Sequence, residues 1–234
     1  DLDDEEVKRV KKILDRENMR ISALGSPIGK IKITADFAPH LEIFKRLITI
    51  AHELETNKMR IFSFFLPEED DPLKWREMVM ERMKEMAEIA EKENMVLLCE
   101  NERDIYGDTP QRCLDLIKTA ASPALKLTFD PANFLRKGLT DIVGALDIVG
   151  EHVEYIHVKD RKQEDMKTVP AGKGSAQIKE ILIELRNNDF DGFLSLEPHL
   201  SSGGRFGGFT GKNKFKKAAA ALRNLLEELG IEYN

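Results

Sequence analysis

Four residues able to ligate a metal stand at the same place in four successive strand-like segments. Glu100 ends MVLLCE, Asp130 ends LKLTFD, His157 lies within VEYIHVKD and Glu197 follows GFLSL. The intervals between them are 30, 27 and 40 residues, each about the length of one strand, loop, helix and return. Each group should therefore stand at the carboxyl end of a different parallel strand. In a closed parallel barrel those ends share one face, and that face carries the chemistry. Three carboxylates and one imidazole suit Mn²⁺, Co²⁺ or Mg²⁺ better than a structural zinc, because oxygen ligands favour harder cations. Any one of these carboxylates alone would read as a surface or strand-end group. Their joint recurrence is the signal.

Several neighbours of the four bear on what such a site would bind. His157 is flanked by apolar Ile156 and Val158, so its ring must find a partner. Lys159 shares the parity of His157. Its ammonium is expected either to meet a substrate hydroxyl, carboxylate or phosphate, or to pair with Glu197 or Asp130. Asn133, one turn beyond Asp130, offers both donor and acceptor to a sugar hydroxyl, or else caps the loop. His199 falls on the same face as Glu197 if the strand persists across Pro198, as a substrate or supporting group. Glu102 has the parity of Glu100 but lies beyond the strand. His40, His52 and His152 read as ordinary surface histidines. The glycine-rich stretch 201–214 (SSGGRFGGFTGKNK) carries Arg205, which could clamp a phosphate or carboxylate. Its spacing is no Walker motif, and a plain loop is the simpler reading.

The elements that must position these residues alternate along the chain. Residues 1–18 place Val7, Val10, Ile13 and Leu14 at helical spacing, with acids leading and bases following as the helix dipole favours. ISALGSPIG follows as a short strand, then a helical pattern through Leu41, Phe44, Leu47, Ile48 and Ala51. The unit repeats with strand MRIFSFF and a helix over 75–91, strand MVLLCE and a helix over 110–121, and strand LKLTFD and a helix over 140–149. It closes with EYIHVKD and a helix over 176–187, then FLSLE and a helix over 214–229. Six near-continuous apolar strands, each followed by a helix, indicate a parallel sheet buried on both faces. The expected fold is α/β, a TIM (β/α)8-type barrel whose first two N-terminal strands are missing from this chain through truncation or disorder. An open six-stranded sheet is the alternative, but four ligands converge more readily on a curved barrel.

At 234 residues, with no proline- or serine-rich linker, the chain is expected to form a single domain over residues 1–234. The net charge of −6, with acids and bases interleaved, gives no support to a nucleic-acid partner. Cys99 and Cys113 show no CxxC spacing, so neither a disulfide framework nor a zinc knot is implied. No signal-peptide core and no apolar run long enough to cross a bilayer is found. The expectation is a cytoplasmic protein that engages no membrane.

At LCEN, FDPANF, YIHVKD, VPAGKG and FLSLEPH the chain resembles the xylose-isomerase-like barrel family, over roughly residues 20–200. That family includes sugar and sugar-phosphate isomerases and epimerases, inosose and dehydroshikimate dehydratases and, more distantly, endonuclease-IV-type enzymes. In the epimerase branch a glutamate, an aspartate, a histidine and a glutamate hold one divalent cation. The resemblance implies that role for Glu100, Asp130, His157 and Glu197. It also implies that Glu100 and Glu197 remove and return a proton through an enediolate; from their own types and placement, Asn133, Lys159, His199 and Arg205 are the candidates to meet the substrate. Where that branch has a substrate-contacting histidine three residues after the metal aspartate, this chain has Asn133. The implied activity is a metal-dependent isomerase or epimerase of a small sugar, sugar phosphate or hydroxy-keto acid. A dehydratase and a non-catalytic sugar-binding barrel are the alternatives. A small carbohydrate is the implied partner, and the family also admits a homo-oligomer. A DNA-repair phosphodiesterase would need more strand-end histidines and a basic groove.

Overall fold

A computed structural model of the chain describes residues 3–200 and 211–233. In chain order the elements are α1 (Asp4–Arg16), β1 (Leu24–Gly25), α2 (Ala38–Glu53), β2 (Lys58–Ile61), α3 (Arg76–Lys92), β3 (Val96–Glu100), α4 (Pro110–Ala120) and β4 (Leu125–Phe129). They continue with α5 (Pro131–Lys137), α6 (Ile142–Val149), β5 (Val153–Val158), β6 (Asp160–Arg161), β7 (Thr168–Val169), α7 (Ile178–Asn187), β8 (Phe193–Leu196) and α8 (Lys212–Glu228). Six strands follow one another in a sheet in the order β1-β2-β3-β4-β5-β8, and β6 and β7 form a separate ribbon. The alternation expected from the sequence is therefore present. The chain forms two compact units, one of residues 1–100, 104–107 and 112–127, the other of residues 101–103, 108–111 and 128–234.

In the first unit α1 begins with a capping box. Asp3 accepts from the Glu6 N–H, and the Glu6 carboxylate accepts from the Asp3 N–H. Its apolar stripe then packs on α2, where Val7, Ile50 and Leu54 are buried together with Val10, Leu14 and Leu47 against them. β1 pairs with β2 and β2 with β3, both parallel, with Arg60 opposite Gly25 on one side and Leu98 on the other. The segment from 26 to 31 lies against the continuation of β2: the Phe62 N–H donates to Ile28 O at 2.8 Å and the Phe64 N–H to Gly29 O at 3.0 Å. Gly29 has φ +83°, and a Cβ there would fall 1.9 Å from the Phe62 carbonyl oxygen, so only glycine fits. Cys99 and Cys113 are buried free thiols, and burial pushes Cys99 up to about 12, which leaves it unreactive.

His40 departs from the surface position expected of it. It is 7 % exposed, and its Nε2 accepts the Gly29 N–H at 2.8 Å. Helix periodicity places it on the α2 face that also buries Leu41, Phe44 and Ile48, and the ring serves the backbone of a tight turn. His52 is exposed and His152 half-buried.

In the second unit β5 and β8 pair in parallel, His157 opposite Ser195 and Val158 opposite Leu196. The ribbon of β6 and β7 is antiparallel, Asp160 opposite Val169. Asp160, 1 % exposed, accepts backbone N–H groups from Arg161 at 2.8 Å, Gly174 at 2.8 Å and Ala176 at 3.1 Å. One carboxylate thus fastens the VPAGKG loop to the end of β5. No described helix is long and apolar enough to cross a membrane.

Candidate metal centre

Asp130 follows β4 directly and caps α5, its Oδ1 accepting the Asn133 N–H at 2.9 Å. Its backbone is held by the side-chain amide of Asn101, which accepts from the Asp130 N–H at 2.8 Å and donates to the Asp130 carbonyl at 2.9 Å. Asn133 donates in turn to the Asn101 carbonyl at 3.0 Å. The aspartate is fully buried, and these bonds fix its position. A short helix carrying proline at its first position explains why the FDPANF segment turns here, because proline is tolerated at a helix start and disfavours the helical conformation in the residue before it.

His157 projects from β5 with its Nδ1 at 3.4 Å from Glu197 Oε2 and 4.0 Å from Asp130 Oδ2. Tyr155, two residues back on the same face, packs edge-on to the imidazole. Glu197 leaves β8 with its N–H on the Val158 carbonyl, which places it beside Lys159. The Lys159 Nζ lies 3.1 Å from both Asp130 Oδ2 and Glu197 Oε2 and 3.3 Å from Asn133 Oδ1. Both readings of Lys159 put it at the site, and the ion pairs with Asp130 and Glu197 are the contacts observed. His199 reaches Glu197 Oε1 with its Nε2 at 3.4 Å. The strand does not persist across Pro198, as that expectation required: β8 ends at Leu196 and His199 has φ 42°. The contact is instead made from the irregular segment after β8, where Thr168 donates to the His199 carbonyl at 2.7 Å.

Burial pushes the Glu197 carboxyl up. The hydrogen bond with His199 and the charges of Lys159 and His157 outweigh it and hold the group well below the usual carboxylate range. The ligand atoms of Asp130, His157 and Glu197 lie within 4.8 Å of one another. Two ligands bound at about 2.1 Å to one ion stand roughly 3.0–3.4 Å apart, so this spacing closes on a single cation with only small adjustments. Two carboxylates and an imidazole can hold a divalent metal.

Glu100 lies in the first unit, at the end of β3 and 2 % exposed. Its Oε2 accepts from Arg60 Nη1 at 3.0 Å, and Arg60 Nη2 donates to the Ser26 carbonyl at 3.1 Å. Neither Arg60 nor the Asn101 clamp was expected. The available signal for Arg60 was a cation inside the apolar MRIFSFF run, where a charge needs a partner. Glu102 is half-buried and lies beyond β3. Arg205 lies outside the described residues.

The family model for the Xylose isomerase-like TIM barrel matches residues 1–231. A 3-dehydroshikimate dehydratase from Bacillus anthracis is 26% identical over 184 residues, 71% of this chain and 65% of that protein. The chain spans 56% to 65% of the length of the curated relatives it matches. Among solved structures, a D-tagatose 3-epimerase-like protein superposes with a TM-score of 0.78 at 20% identity, covering 97% of this chain and 85% of that one. A Xylose isomerase-like TIM barrel protein from Mycobacterium smegmatis, in complex with magnesium, superposes with a TM-score of 0.73 at 17% identity, covering 97% and 79%. These structural likenesses give the fold, an α/β TIM barrel. With the match running over nearly its whole length, the chain belongs to the xylose isomerase-like TIM barrel family.

Proposed function

We propose that the protein is a divalent-metal-dependent isomerase or epimerase that acts through an enediolate on a small sugar, sugar phosphate or hydroxy-keto acid. The observation that carries this reading is the grouping of one ligand atom each from Asp130, His157 and Glu197 within 4.8 Å; Glu100 is proposed as the fourth ligand. Mn²⁺, Co²⁺ and Mg²⁺ are the cations this oxygen-rich set suits. A bound divalent cation supplies Lewis-acid polarisation of the substrate carbonyl, which acidifies the adjacent C–H. Glu197 and Glu100 then act as the pair that removes the proton and returns it. The hydrogen bond from His199 to Oε1 keeps Glu197 ionised and oriented, so that Oε2 faces the centre. Asn133 and Lys159 orient substrate oxygens, the former offering both donor and acceptor. Arg205 would pair with an anionic group of such a substrate.

A second reading, a dehydratase, is favoured by the name of the Bacillus anthracis relative. It would use the same proton abstraction and then expel a hydroxyl from the neighbouring carbon. The test is incubation of the Mn²⁺-loaded protein with a panel of ketoses, sugar phosphates and hydroxy-keto acids in D₂O. Deuterium entering at the carbon beside the carbonyl, and falling by about 10²-fold or more in Glu197→Gln, supports isomerase or epimerase chemistry. Loss of water, giving an unsaturated product, supports the dehydratase. Neither exchange nor elimination from a metal-loaded sample would overturn both.

A further inference from the structure

Lys159 is itself a cation set among the acidic groups of the site. Its side chain is 6 % exposed, and its ammonium stands between two carboxylates, 3.1 Å from Asp130 Oδ2 and 3.1 Å from Glu197 Oε2. These are the same two oxygens that His157 Nδ1 faces. The other oxygen of each carboxylate is engaged elsewhere: Asp130 Oδ1 with the Asn133 N–H and Glu197 Oε1 with His199. Each acid therefore turns one oxygen to the centre, and Lys159 draws on both.

A buried and a half-buried carboxylate facing one point repel each other unless a positive charge lies between them. An ammonium fills that role well. It is a compact charge with three donors on a flexible stem, able to change partners by rotating its four-carbon chain. A divalent cation that drew on the same oxygens would stand within a few ångströms of Nζ, and at that distance like charges strongly exclude one another. From this geometry we infer that Lys159 is an internal counter-cation that competes with the divalent metal for Asp130 Oδ2 and Glu197 Oε2. Metal binding displaces its ammonium from the carboxylates, leaving it to meet the substrate. The inference rests on the metal site proposed above. Lys159 sets the metal affinity below what the ligands alone would give, and it stabilises the site when the metal leaves.

The experiment is calorimetric titration of Mn²⁺ into chelator-stripped wild type, Lys159→Met and Lys159→Arg, with thermal melts of each sample stripped and loaded. Lys159→Met should bind Mn²⁺ on the order of tenfold tighter or more. It should melt below wild type when stripped and recover when loaded, while Lys159→Arg, which keeps the charge, should gain no affinity. Equal or weaker binding by Lys159→Met beside a wild type that binds Mn²⁺ would overturn the inference and leave the metal site standing. Binding by neither would remove the metal site, and the inference with it. Binding by the Met variant alone would mean that the lysine wins outright, in support. Should the Met variant fail to fold, acetylation of wild type followed by mass spectrometry decides. Lys159 should be slow to modify without metal and several-fold faster in saturating Mg²⁺, and equal protection in both would overturn the inference.

Discussion

A carboxylate held at both oxygens has one orientation, and Glu197 and Asp130 are both of this kind. Each gives one oxygen to a structural partner and the other to the centre, which is how residues of ordinary type become candidate ligands. His40 shows the same logic in a structural role. Its Nε2 must remain an acceptor for the Gly29 N–H, and burial, followed by the nearby Arg82 charge, lowers its pKa from the ordinary value of about 6.5. The unfolded chain therefore takes up a proton at a pH where the folded chain does not. The stability His40 contributes is present above about pH 6.5 and is lost as pH falls toward its folded value. Urea unfolding from pH 7.5 down to 5 should show a decline in stability that is reduced in His40→Gln, and identical slopes would contradict this assignment. The candidate ligand positions stood out in the sequence because type and strand-end placement recur together. The pairing of His40 was not, because a helical period reports a buried face but not the backbone group across from it.

At the scale of elements, the strands and long helices followed from apolar runs and 3.6-residue spacing, with boundaries displaced by no more than about four residues where ends fray. Two features escaped. The seven residues of α5 are too short for a period to show, although Asp130-Pro131 is a helix-start signature. The ribbon of β6 and β7 has two residues per strand, and the Asp160 carboxylate at its start fastens the loop that follows it. That carboxylate makes a prediction at this scale. A Cβ on Gly174 would lie 2.2 Å from Asp160 Oδ1 and 2.4 Å from the Arg161 carbonyl, too close for any real side chain. Gly174→Ala should destabilise the protein by about 1–3 kcal/mol through forced displacement of the loop. Asp160→Ala should do so by a similar amount, because three backbone donors lose their acceptor. Because both act on one set of contacts, their effects should be less than additive in a double-mutant cycle by urea unfolding. Full additivity would mean that the loop is fastened elsewhere.

For the whole molecule, the α/β alternation and the motif order carried the family, and the match over residues 1–231 agrees with both. Substrate choice was not legible, because it depends on mouth residues brought together by loops whose conformation no periodicity encodes. Asn133 illustrates this: its type suggested a sugar contact, and its observed partners are Asn101 and Lys159. The central claim is that residues spread from 130 to 197 along the chain act together on one cation. Its most direct test is equilibrium metal titration with elemental analysis, comparing wild type with Asp130→Asn. We predict about one Mn²⁺, Co²⁺ or Mg²⁺ per wild-type chain, a rise in melting temperature as it binds, and a loss of affinity of at least 10-fold in the variant. A wild-type protein that takes up no divalent cation, or a variant that binds as tightly, would contradict the account.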